Sequence, residues 1–230
     1  MTTVKYDGYE LEYFDDAFNF RKYQIQLVKK YLKKNLAEVG PGQGGLAKYY
    51  KKLVSKICLI EPDKNLYKLL TKKFKNRNIK VKNTTISNIN NKFDTIIYFD
   101  VLEHIKNDLK EVKEAKKKLN KNGYLIFNVP AHQYFYSNFD KSVGHIKRYN
   151  KKDFIEIQKK TGLVIEKLIY YDSVGFVFLI LNKIFSLSQK NLNHKIKFWN
   201  SLIPISKIID FVTFNNFGKS LLCVFRNDKK

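Results

Sequence analysis

The chain has 230 residues, 44% of them apolar, which is enough for one large domain with a buried core and excludes global disorder. Its two cysteines, Cys58 and Cys223, lie far apart in sequence with no metal or redox spacing, so a reduced, cytoplasmic protein is expected. The net charge of +23 is almost all lysine, with only Arg21, Arg77, Arg148 and Arg226 beside it. Nucleic-acid readers favour the arginine fork, so drift in composition accounts for this charge more simply than a functional basic face.

The first residues, Met1 to Asp7, carry no apolar core of an export signal. The longest apolar run, Val174 to Leu181, is far short of the ~18 residues needed to span a bilayer, so no membrane crossing is expected. From Arg21 to Lys34, apolar residues at Tyr23, Ile25, Leu27, Val28, Tyr31 and Leu32 predict a helix with one buried face, within an N-terminal helical segment over 1–34. Short apolar runs then predict buried strands at Leu36–Val39, Ile57–Ile60, Ile79–Val81, Thr95–Phe99 and Tyr124–Val129. Helices are predicted between them at Leu46–Leu53, Leu66–Phe74 and Leu109–Leu119, with Gly123 as the turn into the fifth strand. A helix over Lys152–Lys160 and strands at Leu163–Tyr171 and Ser220–Phe225 complete the series. Such alternation predicts a single α/β domain over 1–230, Rossmann-like and doubly wound, with a mostly parallel sheet. The apolar stretch 174–218, with its lone Trp199, is too long for a plain connection and predicts a helical cap over a cavity.

Ligands of a doubly wound sheet bind at the carboxyl ends of its strands. The first such end reads Glu38-Val39-Gly40-Pro41-Gly42-Gln43-Gly44-Gly45. Gly40, Gly42 and Gly45 satisfy G-x-G-x-x-G, while Gly40, Gly42 and Gly44 satisfy G-x-G-x-G, so the glycines alone do not choose between a dinucleotide and another nucleoside cofactor. Glu38, two residues before the first glycine, suits a cationic amine. Glu61, ending the second strand, suits a ribose diol and would serve NAD equally well. The block Phe93 to Ile105, ending Asp100-Val101-Leu102-Glu103-His104-Ile105, tips the balance.

Taken together, these segments resemble the class I S-adenosylmethionine-dependent methyltransferases over roughly residues 10–170. Glu38 to Gly44 looks like that family's first motif, Glu61 like its acidic second-strand residue, and Val101 to Ile105 like its "VLEHI" segment. The resemblance implies S-adenosyl-L-methionine as cofactor, with Glu38, Gly40, Gly42 and Gly44 at the methionine end and Glu61 on the ribose. It further implies Thr85 and Ile86 beside the adenine, Asp100 under the sulfonium, and an antiparallel seventh strand at Ser220–Phe225. The family's usual Asp after the third strand is absent, since Asn83-Thr84-Thr85 stands there.

After the fifth strand come Val129-Pro130-Ala131-His132, then Tyr136 to Asp140, then Gly144-His145-Ile146-Lys147-Arg148-Tyr149. This is similar to the "VPA…D…GH-x-RRY" stretch of type 11/12 methyltransferases encoded with bacterial glycan and lipid biosynthesis genes, with Lys147-Arg148 in place of two arginines. Here His145 is the first choice for a base, Asp140 its orienter and His132 the second choice. Arg148, Tyr149 and Tyr136 are expected at an anionic or sugar-like acceptor. The plainer reading makes Asp140, His145 and Arg148 a brace within the loop. Asp100, Glu103 and His104 sit at i, i+3 and i+4, as in quinone-ring O-methyltransferases, and could collect a metal; capping and packing beneath the cofactor is favoured, so no metal is expected.

The sequence therefore points to methylation, on oxygen, of a small molecule or a glycan or lipid intermediate. RNA or protein methylation, exploiting the basic surface, is the alternative. A third is a non-catalytic cofactor-binding scaffold at an anionic membrane, and peripheral membrane contact stays open in either case.

Overall fold

The computed structural model describes residues 17–185 and 192–228. The first sixteen residues of the expected N-terminal helical segment, and positions 186–191 of the expected cap, lie outside the described residues.

Seven strands form one sheet: β1 (Asn35–Val39), β2 (Lys56–Ile60), β3 (Ile79–Lys82), β4 (Phe93–Phe99), β5 (Leu119–Pro130), β6 (Val164–Tyr171) and β7 (Ser220–Arg226). Their order is β3-β2-β1-β4-β5-β7-β6. β7 runs antiparallel to both β5 and β6, and the remaining pairs are parallel. The central strands read as continuous apolar runs because both faces are covered. Along β4, Ile96 and Tyr98 enter the core on one face, while Ile97 and Phe99 enter the core on the other.

The first face is covered by α4 (Asp108–Lys117) and α6 (Lys151–Thr161), through Val112, Phe154 and Ile157. The second is covered by α1 (Phe18–Val28), α2 (Ala47–Tyr50) and part of the segment between β6 and β7. Helix α3 (Lys64–Lys73) starts at Asp63, whose carboxylate accepts the N–H groups of Asn65 and Leu66. Asn150 and Asp153 form a capping box at α6, and Gly162 at φ +65° ends that helix.

Two boundaries differ from the sequence expectation. The helix expected over Leu46–Leu53 is helical only over Ala47–Tyr50, because Leu53 N–H already closes a tight turn on Tyr50 O (2.8 Å) before β2 begins. Leu119, expected to end a helix, instead opens β5 by pairing with Phe93. The register then shifts between Phe93 and Thr95, and Asn122 at φ +57° precedes Gly123 inside the strand rather than before it.

Between β6 and β7 the chain forms α7 (Ser173–Phe185), α8 (Leu192–Ser201) and α9 (Ile203–Val212). Buried carboxylates anchor them. Asp172, at φ +66°, takes the Trp199 indole N–H on both oxygens (3.0 Å each) and the Ser206 hydroxyl at 3.2 Å. Asp210 takes the Tyr23 hydroxyl (2.8 Å) and the N–H groups of Asp172 and Ser173, so α9 is tied to both α1 and α7. No helix among the described residues is long and apolar enough to cross a membrane.

Candidate active site

β1 has β2 on one side and β4 on the other, so the sheet reverses its winding at the end of β1. Gly40 N–H donates to Ile60 O (2.9 Å), folding the glycine loop over the end of β2. Gly40 has φ +65°, and a Cβ there would lie 2.7 Å from Val101 Cγ2, so the loop and the residue after Asp100 fit only with glycine between them. Glu38 is buried and accepts the Tyr50 hydroxyl; burial, then the Glu38 charge, push that phenol's pKa far up. Glu61 is buried as well, accepting Asp63 N–H at 2.9 Å and Gly42 N–H at 3.2 Å. Its burial outweighs those two bonds and raises its carboxyl to about 7.

Asp100 leaves β4 with φ +59° and is held in a closed ring of side chains. Asn128 Nδ2 donates to one Asp100 oxygen (2.7 Å) and Arg21 Nη1 to the other (3.2 Å). Arg21 also donates to Gln24 Oε1 (2.8 Å), Gln24 donates to the Tyr171 hydroxyl (3.0 Å), and Tyr171 donates to Asn128 Oδ1. One helix and two further strands thus close a ring on the carboxylate that follows β4.

The loop after β5 brings together Asp140, His145 and Arg148. Asp140 is fully buried on α5 (Asn138–Ser142); one oxygen takes His145 Nδ1 (2.9 Å) and Arg148 Nε (2.9 Å), the other takes Ser137 N–H and hydroxyl. Burial alone would raise this carboxyl, but the His145 hydrogen bond and the Arg148 charge overcome it and pull it down to about 2. His145 Nε2 lies 3.8 Å from Glu103 Oε1. Neither Glu103 oxygen has a hydrogen-bond partner among the described residues, and burial, then the Asp100 charge, push its carboxyl well above the carboxylate range. His104 joins them with its ring against His145 and its Nδ1 on Gly144 O (3.1 Å). Burial, then the His145 charge, lower its pKa to about 4, which keeps it neutral. Glu103, His104 and His145 place one donor atom each within 4.8 Å of one another; Asp100 stands outside that group.

A cavity of about 530 Å³ connects these parts. Glu38, Gly40, Pro41 and Gly42 line one region, Asp100 and Arg21 the floor, and Glu103, His104 and His145 another region, while Phe178 and Trp199 wall it from α7 and α8. Several expected residues lie elsewhere. His132 is not among the lining residues: its ring stacks on Tyr170 (centroids 4.6 Å apart) and its Nε2 meets Gly218 O (3.0 Å). Tyr149 is fully buried off the cavity, with its hydroxyl on Leu102 O and Asp108, and Tyr136 braces the loop by donating to His145 O (2.7 Å). Arg148 reaches the wall, but Asp140 holds its Nε and Ala131 O accepts from Nη1 (3.4 Å). Thr85 is exposed and Ile86 fully buried outside the cavity. Asn83, standing where an acid was expected, clamps the ends of β2 and β3 by donating to Glu61 O (2.9 Å) and Pro62 O (3.0 Å).

The sequence reading did not single out Arg21, Gln24 or Tyr171, and it gave Glu103 a packing role. The one signal in the sequence was the scarcity of arginine, Arg21 being one of only four.

A family model for the methyltransferase domain matches residues 14–168. The chain belongs to that family. It is a class I methyltransferase dependent on S-adenosylmethionine. No curated protein sequence matches it. Among solved structures, a methyltransferase of Bacillus halodurans C-125 is 14% identical, with 90% of this chain and 99% of that one covered at a TM-score of 0.61. The N-methyltransferase NodS of Bradyrhizobium japonicum WM9, solved with S-adenosyl-L-homocysteine, is 14% identical over 99% and 95% of the two chains, with a TM-score of 0.62. Phosphoethanolamine N-methyltransferase 2 of Haemonchus contortus, solved with S-adenosyl-L-methionine, gives 14%, 95% and 57%, with a TM-score of 0.64. At such identities the likeness is one of fold. The donor set of the methyltransferase suits its cofactor in part: the Glu38 carboxylate lines the cavity where an ammonium group could meet it, and Gly40 and Gly42 let a ligand approach the backbone, whereas Gly44 and Glu61 are not among the lining residues and the Glu61 oxygens accept Asp63 and Gly42 N–H.

Proposed function

We propose that this methyltransferase methylates an oxygen of a small molecule or of a glycan or lipid biosynthetic intermediate, with His145 receiving the acceptor's proton. The observation that carries this reading is His145, held by Asp140 at 2.9 Å, in the same cavity as the glycine loop. A hydroxyl acceptor needs a base, whereas a neutral amine or a carboxylate can do without one. S-adenosylmethionine supplies, when bound, an electrophilic methyl group on a sulfonium centre.

The rest falls to the chain's own residues. Asp140, ionised far below neutral pH, accepts the Nδ1 proton of His145 and so directs the Nε2 lone pair away from itself. The same negative charge stabilises the imidazolium that forms when His145 takes a proton. Arg148 and Ser137 hold Asp140 in place, so the base is oriented by a braced partner. Phe139, Phe178 and Trp199 line the cavity with aromatic surface, which keeps water from the reacting centre and suits an acceptor with an apolar portion. Glu38 and the glycine loop are assigned to the methionine end and Glu61, beside Gly42 at the end of β2, to the ribose; Thr85 and Ile86, outside the cavity, are given no contact.

The test is methyl transfer from isotopically labelled S-adenosylmethionine to sugar and lipid-extract fractions, comparing the native protein with His145→Gln. A methyl ether made by the native protein, and lost in His145→Gln while cofactor binding persists, supports the proposal. A methylated nitrogen, or full activity in the variant, overturns it.

A further inference from the structure

The helices between β6 and β7 carry apolar side chains that nothing among the described residues covers. Of sixteen exposed large apolar residues among the described residues, ten fall within 177–214. They are ordered along the helices. Val177, Leu181 and Ile184 recur at i, i+4 and i+7 on α7, and Ile205, Ile208 and Phe211 at i, i+3 and i+6 on α9. Phe211 is 81% exposed and Ile208 66%. Inward residues of the same helices are engaged: Ser173 N–H with Asp210, Val174 N–H with Ser206. An exposed apolar set of this density marks a surface with a partner.

Charge narrows what that partner is. From Ser173 to Lys219 the sequence has six lysines, no arginine and one acid, Asp210, which is fully buried. Of these lysines Lys183, Lys195 and Lys197 are exposed among the described residues, so the outer face of the segment is apolar and cationic there, with no exposed carboxylate. A second copy of the chain would bring the same lysines and a charge of +23 against it, which opposes a symmetric contact. A surface that accepts partial insertion of apolar groups and carries negative charge answers both properties, and none of the described helices is long enough to cross it.

We propose that α7 and α9 dock this protein onto an anionic lipid bilayer, with Ile208 and Phe211 entering the interface and the exposed lysines Lys183 and Lys197 facing acidic headgroups. The inference goes beyond the acceptor assignment and does not depend on it. It has a consequence for access: Phe178 and Leu181 of α7 also line the cavity, so docking sets the cavity wall against the membrane.

Co-sedimentation of the full chain with phosphatidylcholine vesicles, with and without ~30% phosphatidylglycerol, tests the proposal. At least tenfold more protein is expected with the anionic vesicles, and 0.5 M NaCl is expected to release most of it. Ile208→Glu together with Phe211→Glu is expected to abolish binding while circular dichroism and S-adenosylhomocysteine affinity stay unchanged; neither residue lines the cavity. Equal binding to both vesicle types, or none to either, overturns the proposal. So does a native dimer in sedimentation equilibrium that the double substitution dissociates, because the face then belongs to a second copy.

Discussion

Arg21 and Asp100 stand 79 positions apart in the chain, yet the guanidinium of one lies 3.2 Å from the carboxylate of the other on the floor of the cavity. The pair fastens the N-terminal helix to the end of β4, and Gln24, Tyr171 and Asn128 close the ring around it. Arg21→Met is expected to lower folding stability by about 1–2 kcal/mol, read from urea denaturation. This is less than the usual cost of breaking a fully buried pair, because the Asp100 side chain is 43% exposed. Asp100→Asn in the same background should recover part of the loss. No loss in the single variant would contradict the assigned role.

Gly40→Ala is expected to abolish cofactor binding. The added carbon meets Val101 at 2.7 Å, and the backbone angle of +65° disfavours any L side chain. Trimming the neighbour with Val101→Ala relieves the clash but leaves the backbone cost, so only partial rescue is expected in equilibrium binding measurements.

Cofactor affinity should rise with pH. In the proposed ribose contact Glu61 has to be ionised to accept two hydroxyls, and burial pushes its carboxyl up from 4.5 to about 7. Affinity for S-adenosylhomocysteine is therefore expected to increase about tenfold from pH 6 to pH 8, and Glu61→Gln should flatten the profile. For folding the sign is opposite. A carboxyl raised in the folded state contributes stability fully below about 4.5, and that contribution is lost as pH rises through about 7.

His145→Gln should lower kcat by about 10²–10⁴-fold with cofactor affinity unchanged. Because the proposal uses the imidazole as a proton acceptor, EDTA should leave the native rate unaltered. A rate that EDTA abolishes and one divalent ion restores would assign His145, with Glu103 and His104, to a metal instead.

Trp199 is the only tryptophan, and Asp172 holds its indole N–H. Asp172→Ala removes this bond and those to Ser206 and Gly175, leaving buried donors unmatched at a cost of about 1–3 kcal/mol each. A red-shifted tryptophan emission and a lowered Tm are expected, and unchanged emission would contradict the tie between the helical segment and the sheet.

The alternation of strands and helices was legible because each central strand is apolar on both faces, and the order of elements needs no long-range information. The glycine loop and Glu61 were legible for the same reason: each follows its strand directly. The ring around Asp100 was not, since Arg21, Gln24, Asn128 and Tyr171 meet only when four distant elements close on one another. Loop residues proved hardest. Spacing placed His132, Tyr149 and Arg148 near the methyl position but could not tell which way each side chain points. Tyr149 points into the core, His132 onto Tyr170, and Arg148 spends its guanidinium on Asp140.

The most direct test of the central claim is isothermal titration of the purified native protein with S-adenosylhomocysteine. The cavity formed by the glycine loop, Glu38 and Asp100 predicts saturable binding at one site per chain, lost in Gly40→Ala. No saturable binding by the folded native protein, or undiminished binding by the variant, would contradict it.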